Sequence, residues 1–167
     1  MKKLLYVIAA TLCLVACEKN TESGSGSSTT IQGDFVDLGL ASGTKWKTQN
    51  EQSNDYYNLF DYETAINEFG SNLPTIEQWE ELKSYCLWVW SGSGYKVTGP
   101  NGKSIVLPAA GYRDCDGSIN RVGSRGNYWS STPYGSEFAW SLNFGSTDVK
   151  KNYKYYRCNY YSIRLVR

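Results

Sequence analysis

Asn101-Gly102 sits between two alternating runs, Gly94-Tyr95-Lys96-Val97-Thr98 and Lys103-Ser104-Ile105-Val106-Leu107. An Asn-Gly pair reaches positive φ at little cost, and a tight turn between right-twisted strands requires it. The Gly99-Pro100-Asn101-Gly102 link is the strongest local hairpin signal in the chain, and it commits this stretch to antiparallel sheet. Phe35-Val36-Asp37-Leu38-Gly39-Leu40 and Thr44-Lys45-Trp46-Lys47-Thr48 flank Ala41-Ser42-Gly43 and read as a second hairpin. Leu87-Trp88-Val89-Trp90 and Phe138-Ala139-Trp140-Ser141-Leu142-Asn143-Phe144 read as strands.

Two segments carry the helical period instead. Phe60 to Phe69 spaces Tyr62, Ile66 and Phe69 on one face, with Gly70 placed to end it. Thr75 with Gln78 three residues on is a capping-box pattern. Ile76, Trp79 and Leu82 or Lys83 follow on one face, and Glu77, Glu80 and Glu81 read as a solvated face rather than catalytic carboxylates. The polar run Asp114 to Asn127 reads as a long loop. The expected core is Trp46, Trp79, Leu82, Trp129, Trp140, Leu142, Phe144 and Ile163.

Met1 to Cys17 reads as a lipoprotein signal peptide. Lys2 and Lys3 precede a short apolar stretch, and Leu14-Val15-Ala16-Cys17 looks like a lipobox whose cysteine takes the lipid. Residues 18–32 are a Ser/Gly/Thr-rich tether, and the binding domain is expected over 33–167. Without Lys2 and Lys3, the 17 basic residues become 15 against 16 acidic. A near-neutral chain is not built to bind nucleic acid. From Lys150 onward, however, Lys150, Lys151, Lys154, Arg157, Arg164 and Arg167 have no acids among them, which predicts a locally positive face.

Cys13 leaves with the signal and Cys17 is lipidated, so Cys86, Cys115 and Cys158 remain for at most one bridge. Cys86 follows an amphipathic helix and reads as a small buried apolar residue. Cys115 and Cys158 lie in polar stretches and form the better pair, though the sequence alone does not fix it. There is no histidine, which removes the commonest general base and most zinc sites. Asp114, Asp116 and Asn120 lack the bidentate glutamate of a calcium loop. Lys103-Ser104 lacks the glycine spacing of a phosphate loop. No cofactor and no metal are expected, and no catalytic residue is assigned.

Several motifs in order resemble one family. They are Val36-Asp37-Leu38-Gly39-Leu40-Ala41-Ser42-Gly43-Thr44-Lys45-Trp46, Leu73-Pro74-Thr75 with Trp79-Glu80-Glu81-Leu82, and Gly94-Tyr95-Lys96-Val97-Thr98-Gly99-Pro100-Asn101-Gly102. Leu107-Pro108-Ala109-Ala110-Gly111-Tyr112-Arg113, Tyr128-Trp129-Ser130-Ser131-Thr132 and Ser162-Ile163-Arg164-Leu165-Val166 complete the set. Together they resemble the Fibrobacter major paralogous domain, which is similar to the formylglycine-generating branch of the C-type-lectin-like fold. The resemblance implies an α+β fold, with two helices packed on short, mostly antiparallel strands and extensive loops. It transfers no chemistry: the cysteine-pair motif of the oxidases and the calcium motifs of the lectins are both missing. A narrower resemblance is to variable lipoproteins of diversity-generating retroelements, in which asparagine codons near the C-terminus are rewritten. Tyr160 stands where that pattern has glycine. Asp114, Cys115, Asp116, Tyr153, Tyr155, Tyr156, Cys158, Tyr160 and Tyr161 are what such rewriting leaves, and ordinary divergence leaves the same.

The tyrosine-dense run from Tyr153 to Tyr161 has two readings, a recognition surface or a tyrosine-rich edge strand. Tyrosine suits recognition because it offers large contact area with few rotors to freeze. The expected ligand-binding set is Arg113, Asp114, Asp116, Asn120, Arg121, Arg125, Tyr153, Tyr155, Tyr156, Arg157, Asn159, Tyr160 and Tyr161. The chain is therefore expected to be a lipid-anchored module on a bacterial outer membrane, at the cell surface. It would recognise a protein or glycan there, and would touch the membrane only through its N-terminal lipid. A degenerate oxidase or a structural component of a surface assembly are the alternatives.

Overall fold

The computed structural model describes residues 34–167. The signal segment, the lipobox Cys17 and the tether lie outside the described residues, as do the side chains of Lys150, Lys151 and Asn152.

Strands β1 (Phe35–Asp37) and β2 (Lys45–Lys47) pair antiparallel, with Val36 opposite Trp46. Glu81 holds their connection: Ser42 donates to its carboxylate from the backbone N at 2.9 Å and from Oγ at 2.5 Å. Glu81 is thus a loop anchor, not a member of a solvated face. Helix α1 (Tyr62–Phe69) starts on Asp61, which accepts from the Thr64 N–H at 2.9 Å, and Gly70 ends it at φ 48°. It buries Tyr62 and Ala65 completely, while Ile66 and Phe69 are half-buried. Helix α2 (Ile76–Tyr85) carries the full Thr75–Gln78 capping box and buries Ile76, Trp79 and Leu82.

Strands β3 (Leu87–Trp90), β4 (Gly94–Thr98) and β5 (Ser104–Pro108) form an antiparallel meander in that order. The turn between β4 and β5 closes on Gly102 at φ 80°. Gly99 passes so close to Leu38 that a Cβ would overlap the Leu38 carbonyl oxygen. The stretch expected to be a long loop holds a small hairpin, β6 (Tyr112–Arg113) with β7 (Ile119–Asn120), and then the start of β8. Strands β8 (Arg125–Tyr134), β9 (Phe138–Gly145) and β10 (Asp148–Tyr156) form the main sheet, with β9 central. The arrangement is α+β, with two helices and mostly antiparallel strands. No helix among the described residues is long and apolar enough to cross a membrane.

Sequence alternation decides which face of the main sheet is buried. Tyr128, Leu142 and Phe144 share one face and join Trp46, Trp79 and Leu82 in the core. Trp46 and Trp79 meet at 4.7 Å between ring centroids, and Trp79 meets Tyr128 at 5.8 Å. Trp140 packs against the core only at its margin. It is half-buried near the end of the sheet, where its ring sits 5.1 Å from the exposed ring of Tyr134. The C-terminal residues run back along β2: the Lys45 N–H donates to the Arg167 carbonyl at 2.9 Å, and the Lys47 N–H to that of Leu165.

This core makes the domain sensitive to alkali. Burial pushes the Tyr128 phenol up to about 12 despite the nearby Arg164, and burial beside Glu81 pushes the Cys86 thiol up to about 11. Tyr161 is raised for the same reason. An acid whose folded pKa is raised is favoured in its neutral form by the fold. Its contribution is complete below the unfolded pKa and disappears as pH rises through the folded one. Tyr128 alone is worth about 2–3 kcal/mol across that window. Urea midpoints should be level up to about pH 9 and fall steeply between about pH 10 and pH 12. A level midpoint across the upper window would show that these groups titrate freely in the fold.

Candidate functional site

The second face of the main sheet builds the site. On β10, Tyr153 lies opposite Ser141 and Tyr155 opposite Ala139; on β8, Asn127 lies opposite Asn143. Side chains two apart on a strand share a face, so Arg125, Asn143, Tyr153 and Tyr155 come to one side. The β6–β7 hairpin is held beside them. The Gly111 N–H donates to the Arg125 carbonyl at 2.8 Å, and Arg113 bridges Tyr160 through two backbone hydrogen bonds. Gly111 has φ 75°, and a Cβ there would overlap the Asn120 carbonyl. A disulfide, Cys115 to Cys158, ties the hairpin tip to the turn after β10, with Cα atoms 5.0 Å apart.

The result is a hollow of 280 Å³ lined by Tyr112, Arg121, Arg125, Asn143, Tyr153 and Tyr155. Asn143 is buried; its Oδ1 accepts from an Arg125 guanidinium nitrogen at 2.8 Å, and its amide donates to Asn127 Oδ1. The Tyr153 and Tyr155 rings stack at 5.2 Å. Burial, with Tyr153 next in effect, pushes the Tyr155 phenol up against the pull of Arg125, so it remains a donor at neutral pH. Arg121 stands in the turn before β8 at φ 57°, and its carbonyl accepts from the Ser124 and Arg125 N–H groups.

The structure divides the expected binding set. Arg121, Arg125, Tyr153 and Tyr155 meet in this hollow. Asp114, Asp116, Tyr155, Tyr156 and Asn159 edge a shallower one of 480 Å³. Arg113 and Tyr160 line a third, of 350 Å³, where Arg113 pairs with Asp55 and lies over the Tyr160 ring. Asp114 and Asp116 brace the hairpin turn: Asp114 accepts from Asn120 Nδ2 at 2.9 Å and Asp116 from the Ser118 N–H at 2.9 Å. That backbone bond from Ser118 is the main cause of a lowered Asp116 pKa. Among the described residues, no group of three or more metal-ligating side chains comes together.

Three assignments are corrected. Tyr161 is 1% exposed and stacks on Trp129 at 4.3 Å, so it belongs to the core. Asn159 is buried beneath it and donates to its hydroxyl at 3.3 Å. Arg157 is structural: it donates to the carbonyls of Gly135 and Phe138, pairs with Glu63 at 3.0 Å and covers the Tyr62 ring. The positive face expected from Lys150 onward changes for the same reason. Arg164 is buried, Arg157 is paired and Lys154 lies over Tyr134. Within the hollow, Arg121 and Arg125 meet no carboxylate among the lining residues.

A family model described as "Domain of unknown function (DUF8237)" matches residues 90–166. No curated protein and no solved structure matches. The matched span contains all six residues of the hollow and leaves α1 and α2 outside it.

Sequence reasoning missed Tyr112 and Asn143. Asn143 had a signal. Ser141 and Asn143 alternate with Trp140, Leu142 and Phe144, so the strand has one apolar and one polar face, and its polar face is buried as well. A buried amide needs partners, which here are Arg125 and Asn127. Tyr112 had no comparable signal, because its role depends on where the β6–β7 hairpin folds.

Proposed function

We propose that the mature chain is a lipid-anchored, extracytoplasmic binding module with a C-type-lectin-like fold. It recognises a surface partner through the face of β8–β10 that carries Tyr153 and Tyr155. The lipobox at Cys17 and the tether after it support the anchor, and they point to the outer membrane and the cell surface. The observation that carries the binding reading is the convergence of three tyrosines and two arginines with no carboxylate among the lining residues. Rings and guanidinium groups are the side chains that dominate binding energy at recognition surfaces. Tyr153 at 47% and Tyr156 at 54% exposed show that the run presents rings to solvent, while its other rings are packed. If the segment is diversified, its outward rings are the positions that retroelement rewriting can vary without unfolding the domain.

The test has two arms on the full-length chain. Cys17→Ser should move the protein out of the membrane fraction, and retention there would overturn the anchor. For binding, the detergent-solubilised chain is applied to arrays of glycans and synthetic peptides. Tyr153→Ser should reduce the strongest signal at least tenfold while unfolding free energy changes by no more than about 0.5 kcal/mol. Signals that survive this substitution, or none from folded protein, would overturn the binding reading.

A further inference from the structure

The 280 Å³ hollow is lined by two cations that, among the described residues, pair with no carboxylate. The other described arginines in or beside the binding set are matched: Arg113 to Asp55, Arg157 to Glu63, and Arg164 to three oxygens. Arg125 has five donor hydrogens and, among the described residues, one side-chain partner, Asn143 Oδ1. The Arg121 side chain has none there. Guanidinium groups prefer planar, two-oxygen anions, which they meet with paired hydrogen bonds.

The rest of the lining shows what carries that anion. Tyr112, Tyr153 and Tyr155 give the hollow an almost wholly polar lining, so they offer it hydroxyls, which a simple inorganic anion would leave unused. A volume of 280 Å³ lies at the lower limit of small-molecule sites, roughly 300–1,000 Å³. It suits one ring-sized group. A peptide would lie along an extended groove or along the edge of β10, whereas this hollow is a compact space on the face of the sheet. A sugar ring presents several hydroxyls at once to phenols and amides. Resting on the binding-module reading above, we infer that this hollow holds a carboxylate-bearing sugar residue of the uronic-acid class, with Arg121 and Arg125 on its carboxylate and the phenols of Tyr112, Tyr153 and Tyr155 on its hydroxyls.

Arg121 supplies a clean test. It is held at φ 57°, where side chains are strained and glycine is not. Arg121→Gly removes the guanidinium and relieves the backbone, so a structural role and a binding role predict opposite outcomes. The full-length chain in detergent is titrated calorimetrically with glucuronate, glucose, acetate and pentaglutamate. Glucuronate should bind at least tenfold more tightly than glucose or acetate, and its affinity should fall as salt rises. Arg121→Gly should weaken glucuronate binding at least tenfold with Tm unchanged or higher, and Lys96→Gln, on the separate β3–β5 sheet, should change nothing. Equal affinity for glucose, equal affinity for acetate, or full affinity in Arg121→Gly would overturn the inference. So would binding of pentaglutamate without glucuronate, which makes the hollow an acidic-peptide site. If glucuronate fails while array ligands still require Tyr153, the ligand class is wrong and the binding module stands. If both fail, both readings fall.

Discussion

Trp129→Ala is expected to lose about 3–5 kcal/mol, most of the stability of a domain of this size. The ring is fully buried, stacked on Tyr161 at 4.3 Å and edge-on to Tyr62 at 5.3 Å. Its Nε1 donates to the Phe60 carbonyl at 2.9 Å, and its own carbonyl accepts from Trp79 Nε1 at 3.3 Å. Removing the ring opens a cavity between α1, β8 and the C-terminal segment and leaves the Phe60 carbonyl with the Tyr161 N–H alone of its two donors. Trp129→Phe keeps part of the stack and loses the hydrogen bond, so it should cost about 1–3 kcal/mol. Urea unfolding reads both. Tyr161→Ser should resemble the alanine variant and Tyr153→Ser should not, which separates core from surface within one tyrosine run. An unchanged midpoint for Trp129→Ala would place this ring outside the core.

Arg164→Lys is expected to destabilise by about 3–5 kcal/mol, although charge is conserved. Arg164 is 1% exposed. Its Nε and one terminal nitrogen donate to Asn50 Oδ1 at 3.0 and 2.7 Å. Further bonds of 2.7 Å reach the carbonyls of Lys47 and Val106. One planar fork therefore joins β2, the loop after it and β5 to the chain's C-terminal segment. Burial lowers its pKa, with the nearby Tyr128 opposing that shift, and the carbonyl dipoles stand where a carboxylate would be expected. A lysine offers a point of three donors and cannot span the same oxygens. Arg164→Met should cost a similar amount, because the three acceptors lose their donors but no buried charge remains. A lysine variant as stable as the parent, by urea midpoint at constant slope, would show that charge rather than fork geometry holds this site.

Local elements were legible in the sequence because they rest on short-range chemistry. The capping box at Thr75, the Asn-Gly turn and the period-2 strand around Trp140 need only neighbours a few residues apart. Both hairpins and both helices follow from such contacts, with ends displaced by one to three residues. The aromatic core was largely legible too, since large rings on the apolar phase of a strand or helix have few other places to go. Trp140 is the exception. It has the right phase but lies where the sheet runs past its covering.

The site was legible only in part. Composition marked tyrosine and arginine near the C-terminus, but it treated them alike. The fold separated them by what lies opposite. Tyr161 entered the core because the chain turns inward after the Cys115–Cys158 bridge, onto Trp129. Arg157 and Arg164 were claimed by Glu63 and by backbone carbonyls far away in the chain. Among the described residues, Arg121 and Arg125 meet no carboxylate because no acid lines the hollow between β6, β8 and β10. An isolated charge pattern cannot show which cations are neutralised, since each partner lies tens of residues distant. Short-range chemistry settles the hairpins, the helices and the rings available for a core, and composition settles the absence of histidine chemistry. Only tertiary pairing decided which tyrosines face solvent, which arginines remain free and that Tyr112 and Asn143 join them, because those outcomes depend on long-range register and burial.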